Sequence, residues 1–224
     1  MDQQMFFVRS DLVFTFVDSY AAEYERVLKS AGSTNALGIG IVVMSTGYPF
    51  SRALHLTGQL MDNARDAVAK KGSSMVDYVV MTNNVEQDLF ALRKTSYTAT
   101  DGSLLTAKPF VCGRARQPVG TKSYLPHASL ADIVADARYI AAKMPSSLLR
   151  RAIDDCRNGK AYARRTWERL RTNLLHAGFS QRDVLDSFER IFSNNFFIEQ
   201  KDMQPYTLLG DYLELRHLFA PSEN

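Results

Sequence analysis

Hydrophobic residues follow a strand–helix–strand pattern in the first half of the chain. Leu37–Met44 is almost continuously apolar and rich in β-branched residues, which is typical of a strand buried on both faces. After a turn over residues 45–49, apolar residues recur at helical spacing through Phe50–Lys71, and Gly72 is placed to end that helix in a left-handed conformation. A second β-type run, Met75–Met81, follows. The pattern predicts a sheet with at least one face covered by a helix.

Two further elements are predicted before this unit. Met5–Val8 is a short apolar run that predicts a strand, and its pairing neighbour could lie outside the chain. Ser10 or Asp11 is expected to cap a helix whose apolar face continues to Leu28.

Beyond Asn83 the β-type pattern weakens. Asp101-Gly102 lies between two short runs, Thr95–Thr100 and Leu104–Ala107, and this arrangement favours a β-hairpin. From Ser129 onward Ala, Leu, Arg and Glu dominate the sequence, and proline and glycine punctuate it. Helices are predicted at Ser129–Ala142, Ser146–Arg157, Lys160–His176, Ser180–Ser193 and Thr207–Phe219. The chain is therefore divided into an α/β domain over residues 1–128 and a helical domain over residues 129–224.

Composition narrows the class of protein. The chain has 224 residues, and 46% of them are hydrophobic, which is enough for a substantial core. A formal net charge of +3 permits a phosphate-bearing partner without requiring one. Cys112 and Cys156 have no metal-site spacing and are expected to be free thiols. No apolar run reaches the roughly 20 residues that span a bilayer, so we expect a soluble, cytoplasmic protein with no membrane partner.

The order of elements and short motifs resembles the palm domains of nucleotide cyclases and polymerases. The Gly-Ile strand and the helix that closes with Ala69-Lys-Lys-Gly72 resemble GGDEF-type diguanylate cyclases. A closer resemblance is to the second palm domain and C-terminal helical domain of the large subunit of type III CRISPR effector complexes. The motifs that carry it, in chain order, are Tyr48-Pro49-Phe50, Asp77-Tyr78, Lys108-Pro109-Phe110, Met144–Arg151 with Asn158-Gly159, and Tyr206–Leu215.

The resemblance implies an α/β (α+β) fold: an incomplete ferredoxin-like, palm-type sheet with packed helices, followed by an all-α C-terminal bundle. Palms of this family hold metal ions with a Gly-Gly-Asp-Asp hairpin, and the metals let one nucleotide's 3′-hydroxyl attack the α-phosphate of another. That hairpin should directly precede the strand expected at Met5–Val8, where this chain has Met1-Asp-Gln-Gln4. No catalytic or metal-binding residue is therefore assigned, and whether this chain is an enzyme stays open.

The implied function is antiviral. The chain would be a nucleotide-binding part of an effector large subunit, associated with cyclic oligoadenylate synthesis, with other subunits or the missing palm half as protein partners and RNA as a further partner. By itself the chain would need no cofactor. With the missing palm portion supplied, it would need Mg and ATP. Fragment, split subunit and degenerate relative all stay open. Two other functions are also open: a non-catalytic palm-like scaffold, and a ferredoxin-like RNA-binding module.

Two sets of residues are candidate binding sites. Ser45 and Thr46 at a strand end, with Lys70 and Lys71 at a helix end, form the nucleotide-binding set that the resemblance implies. The alternatives for these positions are turn formation and complementation of the helix dipole. The nucleic-acid-binding set lies roughly along one helical face and consists of Arg157, Lys160, Arg164 and Arg171; a solvated, salt-bridged face is the alternative.

Two further pairs of residues carry predictions. Tyr162 and Trp167 could stack on bases, with packing into the helical bundle as the alternative. Asp211 and Glu214, three residues apart on a helix, are expected to cap the helix or to pair with Arg216 or a partner chain, and not to form an acid–base pair.

Overall fold

The computed structural model describes residues 4–81, 88–113, 129–143, 146–176, 189, 196–199 and 204–219. The chain divides into two compact units. The first contains Met1–Asn84 and Pro109–Val134, and the second contains Val85–Lys108 and Ala135–Asn224. The described part is mixed α/β, with seven helices and one three-stranded mixed sheet. The predicted boundary between residues 128 and 129 stays a prediction.

The first unit contains the whole described sheet. Its helices and strands, in chain order, are α1 Val13–Ser30, β1 Gly38–Val43, α2 Phe50–Lys71, β2 Met75–Val80 and β3 Phe110–Val111. Strands β1 and β2 are parallel neighbours, in register from Gly38 opposite Met75 to Val43 opposite Val80, and β3 pairs antiparallel with β2. The predicted strand–helix–strand pattern is confirmed to within a residue at each strand end, and Gly72 ends α2 in the left-handed conformation.

Helix α2 packs directly against the backbone of β1 at two glycines. A Cβ atom at Gly38 would lie 2.8 Å from the backbone nitrogen of Arg65, and one at Gly40 would lie 2.4 Å from the carbonyl oxygen of Thr57. Residues two apart on a strand point to the same face, so the Gly-x-Gly spacing turns both positions toward α2. We call this contact the glycine seam; it allows an approach of helix and strand that no larger residue permits.

Helices α1 and α2 cover opposite faces of the sheet. Asp77 of β2 accepts a hydrogen bond from Asn63 of α2 at 2.6 Å. The next residue, Tyr78, packs edge-to-face on Phe14 of α1, with the ring centroids 5.1 Å apart. Because successive strand side chains point to opposite faces, these two contacts place one helix on each side of β2. Five consecutive residues of β2 are buried.

The prediction that β1 is buried on both faces is wrong. Only Ile41 and Val43 of β1 are buried, and the other four residues are partly exposed. Within the described sheet β1 is an edge strand, while β2 is central. The apolar run of β1 has the glycine seam on one face and Ile39, Ile41 and Val43 on the other. The strand with nearly complete burial is β2.

Two predictions for the N-terminal region are also wrong. Residues 4–9 have no regular secondary structure, and Phe6 instead packs edge-to-face on Phe16 and Tyr20 of α1. Phe7 packs against Phe50 of α2, with the ring centroids 5.8 Å apart, so two phenylalanines of this segment contact helices. Helix α1 begins after Leu12, which stands at the capping position, so it has no side-chain cap. The carboxylate of Asp11 pairs with Arg9 instead, at 2.9 Å.

The second unit is mainly helical. Its helices are α3 Leu89–Ser96, most of α4 Leu130–Lys143, then α5 Ser146–Arg157, α6 Lys160–His176 and α7 Leu209–Phe219. The bounds predicted for α5 and α6 are confirmed, and those of α4 and α7 differ by one or two residues. The helix predicted at Ser180–Ser193 lies outside the described residues except for Glu189, which is helical.

Helix α3 was not predicted, and it changes the hairpin that follows. Asp88 caps α3 by accepting a hydrogen bond from the Ala91 backbone N–H at 2.7 Å. Since Thr95 and Ser96 belong to this helix, only a single antiparallel bridge, between Thr98 and Leu104, joins the arms. The predicted turn is confirmed: the backbone N–H of Gly102 donates to the carbonyl of Ala99 at 3.0 Å.

The turn of this short hairpin joins the facing ends of α5 and α6. The Thr100 N–H donates to the carbonyl of Arg157, at the end of α5, at 2.9 Å. The carboxylate of Asp101 accepts a hydrogen bond from the Lys160 N–H, at the start of α6, at 2.9 Å. Helix ends leave such groups without intrahelical partners. The hairpin turn therefore caps both helices from a distant part of the chain.

The glycine seam can be tested with a matched pair of glycines. We expect Gly40→Ala to lower the free energy of unfolding by about 1–3 kcal/mol, because the new methyl group forces α2 away from β1. Gly58 lies within α2 with nothing within 4 Å of an added Cβ, so Gly58→Ala should raise it by about 0.5–1 kcal/mol. Urea denaturation measures both; equal effects of the two substitutions would contradict the seam.

Candidate functional site

The predicted nucleotide-binding residues lie at opposite ends of α2. Helix α2 runs antiparallel to β1, since Thr57 lies over Gly40 and Arg65 lies over Gly38. Ser45 and Thr46 follow the carboxyl end of β1, before α2 begins, whereas Lys70 lies in its last turn. A helix of 22 residues is about 33 Å long. The two pairs are therefore too far apart to bind one nucleotide together.

Ser45 and Thr46 form a tight turn. The Tyr48 N–H donates to the carbonyl of Ser45 at 3.1 Å, which closes the turn that leads into α2. Both side chains are exposed, and Tyr48 is buried. Ser45 and Thr46 therefore act as turn-forming residues, which is the local role that serine and threonine favour.

Lys70 is a better placed cation. Its side chain is exposed, and among the described residues it has no hydrogen-bond or ion-pair partner. It lies close in sequence to the left-handed Gly72 and the buried Ser73 and Ser74, at the amino end of β2. Lys71 is the last residue of α2, and its side chain is outside the described part of the structure. This end of the first unit can offer positive charge to a phosphate.

The described residues do not fit a two-metal site. Asp77 is fully buried in β2 and bonded to Asn63. Over the described ranges, no three His, Cys, Asp or Glu side chains are grouped so that they could hold a metal ion. A two-metal nucleotidyl-transfer centre needs several carboxylates converging on one point. The described residues therefore do not form such a centre.

Each of the four predicted nucleic-acid-binding residues forms an ion pair. Arg157 pairs with Asp154 at 2.9 Å, and Arg164 with Glu168 at 3.4 Å, both within a single helix. Lys160 pairs with Glu199 at 3.2 Å, and Arg171 with Glu189 at 2.6 Å. The four side chains are between 41% and 75% exposed. The structure leaves the set at the surface and supplies each cation with a carboxylate.

The two aromatic residues of α6 have different surroundings. Trp167 is buried and packs edge-to-face on Phe196, with the centroids 5.3 Å apart, so the bundle-packing alternative is confirmed for it. Tyr162 is 54% exposed, and the guanidinium of Arg165 lies over its ring, 6.0 Å from the centroid. Of these two residues, Tyr162 is the one available for stacking.

A buried cluster of charged groups links Lys108 to helix α7. The Lys108 side chain is 2% exposed, and its amino group lies 3.7 Å from a carboxylate oxygen of Asp211, which is fully buried. Lys108 also pairs with Glu214, which accepts a further hydrogen bond from the Tyr97 hydroxyl. The cation buried with these two acids comes from a residue more than 100 positions earlier, and their expected pairing with Arg216 or a partner chain stays a prediction. Local spacing gives no signal for such a contact.

Further donors complete the cluster around Asp211. One carboxylate oxygen of Asp211 accepts from the Thr106 hydroxyl at 2.7 Å, and the other accepts from the Ala107 N–H at 2.9 Å. Burial raises the pKa of Asp211 above its ordinary value of 3.8, while Lys108 and these two donors act in the opposite direction. Both oxygens of this carboxylate thus have a partner, as a stable buried ionic group requires. The arrangement is suited to holding α7 in place.

Both cysteines are buried free thiols. Burial, with Asp155 as a smaller cause, raises the pKa of Cys156 to about 12, and burial also raises the pKa of Cys112. Since the thiolate is the reactive form, neither residue is suited to nucleophilic or redox chemistry.

Breaking the buried cluster should be far more costly than breaking an exposed pair. Lys108→Met leaves two carboxylates without their buried cation, so we expect the free energy of unfolding to fall by about 3–5 kcal/mol. Arg157→Ala removes an exposed pair and should cost no more than about 1 kcal/mol. Denaturant titration of both variants is the measurement. A loss for Lys108→Met as small as that for Arg157→Ala would argue against the cluster.

The buried Asp211 should give the stability of the protein a pH dependence of its own. A raised pKa means that the folded state binds the Asp211 proton more tightly, so its contribution is full below pH 3.8 and is lost as the pH rises through the folded pKa. The difference in unfolding free energy between wild type and Asp211→Asn should therefore fall as the pH is raised from about 4 toward 7.

Asp101 supplies the matched control. Burial would raise its pKa, but hydrogen bonds from the Lys160 and Ser103 N–H groups outweigh this, and the net pKa is lowered. Its contribution is present above the ordinary value of 3.8 and is lost only at more acidic pH. The difference between wild type and Asp101→Asn should stay level between about pH 5 and 8. The same slope for both variants would show that Asp211 is not responsible.

No protein-family model matches this sequence, and no curated protein matches it. Among the described residues, no helix is long and apolar enough to cross a bilayer. The resemblance to palm domains therefore depends on the motifs and on the order of the elements that contain them.

Proposed function

We propose that this chain is a palm-type, nucleotide-binding domain joined to a helical domain, as in the large subunit of type III CRISPR effectors. In this proposal it acts within an RNA-guided antiviral assembly. If an acidic, metal-binding hairpin is supplied by another part of the assembly, Mg and ATP would support cyclic oligoadenylate synthesis. The chain alone supplies a nucleotide-contacting surface and a docking domain for subunits or RNA.

The observation that carries this proposal is the β1–α2–β2 unit. Two parallel strands are joined by a long helix that lies on the glycines of the Gly-Ile strand, and α1 covers the other face of β2. The motifs that gave the resemblance occupy corresponding places: Tyr48-Pro49-Phe50 opens α2, and Asp77-Tyr78 forms the centre of β2. This agreement between motif order and element order supports a palm.

A second agreement lies in the helical unit. The lysine of the Lys-Pro-aromatic motif, Lys108, and the acids of the closing helix, Asp211 and Glu214, meet in one buried cluster. These motifs are separated by about 100 residues in the sequence, and the resemblance selected both without reference to contacts. Residues that form a buried ionic group together are constrained together, which supports the view that the two motifs belong to one structural pattern.

Of the two predicted nucleotide-binding pairs, the lysine end is favoured. Lys70 is exposed and lacks an acidic partner in the described part of the chain, whereas Ser45 and Thr46 are explained by their turn. A phosphate at Lys70 would gain a charge-assisted hydrogen bond. The competing function, a non-catalytic scaffold, predicts no nucleotide binding at either end.

Calorimetric titration of the chain with Mg-ATP tests the proposal. We expect measurable binding that Lys70→Ala weakens by about tenfold, because a hydrogen bond to a charged group contributes about 1.5 kcal/mol. Lys143→Ala, which removes an exposed lysine at the end of α4, is the control and should change nothing. The double variant Ser45→Ala, Thr46→Ala should also bind normally.

Two outcomes would count against this function. If the wild-type chain does not bind ATP, the scaffold is favoured. If Lys70→Ala and Lys143→Ala weaken binding equally, the contact is diffuse attraction between ATP and a basic protein rather than a site at the end of α2.

A further inference from the structure

Positive charge is concentrated in the pair of helices α5 and α6. Residues 146–176 include eight lysine and arginine side chains and three aspartate and glutamate side chains, a formal charge of +5. The whole chain carries only +3, so the rest of the protein is net acidic. A local excess of positive charge is typical of surfaces that bind a phosphate-bearing polymer.

Helix α6 divides this charge between two flanks. Ala163, Thr166 and Trp167 are buried and form the stripe that packs into the unit. Residues three, four or seven positions apart share a helix face, so the remaining charged and aromatic residues separate by their spacing. The first flank is Lys160, Arg164 and Arg171, on one side of the buried stripe, and the second flank is Tyr162, Arg165 and Arg169, on the other side.

The first flank is neutralised by acidic partners. Each of its three cations forms an ion pair with a carboxylate, and for Lys160 and Arg171 that carboxylate comes from Glu199 and Glu189, outside α6. A cation held in this way must give up one partner to bind another. The net field that this flank presents to a polyanion is therefore weak.

On the second flank one cation, Arg165, has no acidic partner among the described residues. Its neighbour is the Tyr162 ring. The guanidinium of Arg169 lies 3.6 Å from a carboxylate oxygen of Asp155 in α5. Helix α5 therefore lies on the side of the second flank. Arg151 precedes Asp155 by four residues, on the same face of α5, and is exposed without an ion-pair partner in the described part of the chain.

We propose that the second flank, together with Arg151 of α5, binds single-stranded nucleic acid. The inference rests on the proposed function, in which the helical unit meets RNA. Arg151 and Arg165 contact phosphates, and the exposed ring of Tyr162 stacks on a base, a contact that every base can make. The guanidinium of Arg165 lies over that ring, 6.0 Å from its centroid. A single strand is selected because bases in a duplex are stacked on one another and are not available to Tyr162.

Fluorescence anisotropy with a labelled single-stranded RNA, and with a DNA of the same sequence, tests this inference on the full chain. We expect Tyr162→Ala to weaken binding by about 5- to 150-fold, as a stacked base contributes about 1–3 kcal/mol, and Tyr162→Phe to bind normally. Arg151→Gln and Arg165→Gln should each weaken binding and lower the slope of log affinity against log salt by about 0.7.

Substitutions on the first flank are the matched controls. Arg164→Gln and Arg171→Gln remove the same charge from the same helix, so they should leave affinity within about twofold if binding is local to the second flank. Thermal melting of each variant verifies that it is folded. Preference for the RNA or the DNA strand identifies which nucleic acid is bound, and tighter binding to either strand than to duplex is expected.

Three results would overturn the inference. They are no binding of either single strand by the wild-type chain, equal losses on both flanks, and tighter binding to duplex. Each is distinguishable from failure of the proposed function, because ATP binding and its dependence on Lys70 are measured separately on the first unit. Retained ATP binding without nucleic-acid binding would remove this inference alone.

Discussion

The first unit depends on the contact of α2 with β1 through two glycines. Because the Cβ atoms are missing at Gly38 and Gly40, backbone meets backbone, and α2 lies close enough for Asn63 to reach Asp77 on the neighbouring strand. Helix α2 runs antiparallel to β1 in this contact, with Thr57 over Gly40 and Arg65 over Gly38. Ser45 precedes this helix of 22 residues and Lys70 lies in its last turn, so the two are about a helix length apart. The candidate nucleotide residues therefore cannot act together.

The second unit is held in a different way, by polar groups from distant parts of the chain. The hairpin turn supplies partners to the ends of α5 and α6, and Lys108 enters a buried cluster with two acids of α7. Buried ion pairs contribute little net stability when compared with apolar packing, yet removing one partner is costly. Such a cluster therefore disfavours alternative positions of α7 more than it strengthens the correct one, which is a hypothesis that the Lys108 variant addresses.

Elements with local signals were predictable from the sequence, and long-range contacts were not. Helix α2 begins after Pro49 and ends at the left-handed Gly72, and α6 follows Gly159, whose φ is +98°; these residues mark boundaries by their own conformational limits. Helix α3 was missed because its capping residue, Asp88, follows a stretch with weak periodicity. The burial of β1 was overestimated because hydrophobicity records composition and not the number of pairing neighbours. The ionic cluster depends on contacts across more than 100 residues, which no local pattern encodes.

The basic helices show the same limit in their electrostatics. Periodicity selected Arg157, Lys160, Arg164 and Arg171 because they follow one face, but charge on a surface depends on which acids fold back against it. Glu189 and Glu199 neutralise that face from outside α6, while no described acid reaches Arg165. Since a phosphate must compete with any carboxylate already in place, the number of cations on a face is a poor guide to its affinity. The affinity of a face for a polyanion depends on the cations that have no acidic partner and on an exposed ring beside them. Within the described part of α6, both occur on the second flank, which the periodicity did not select.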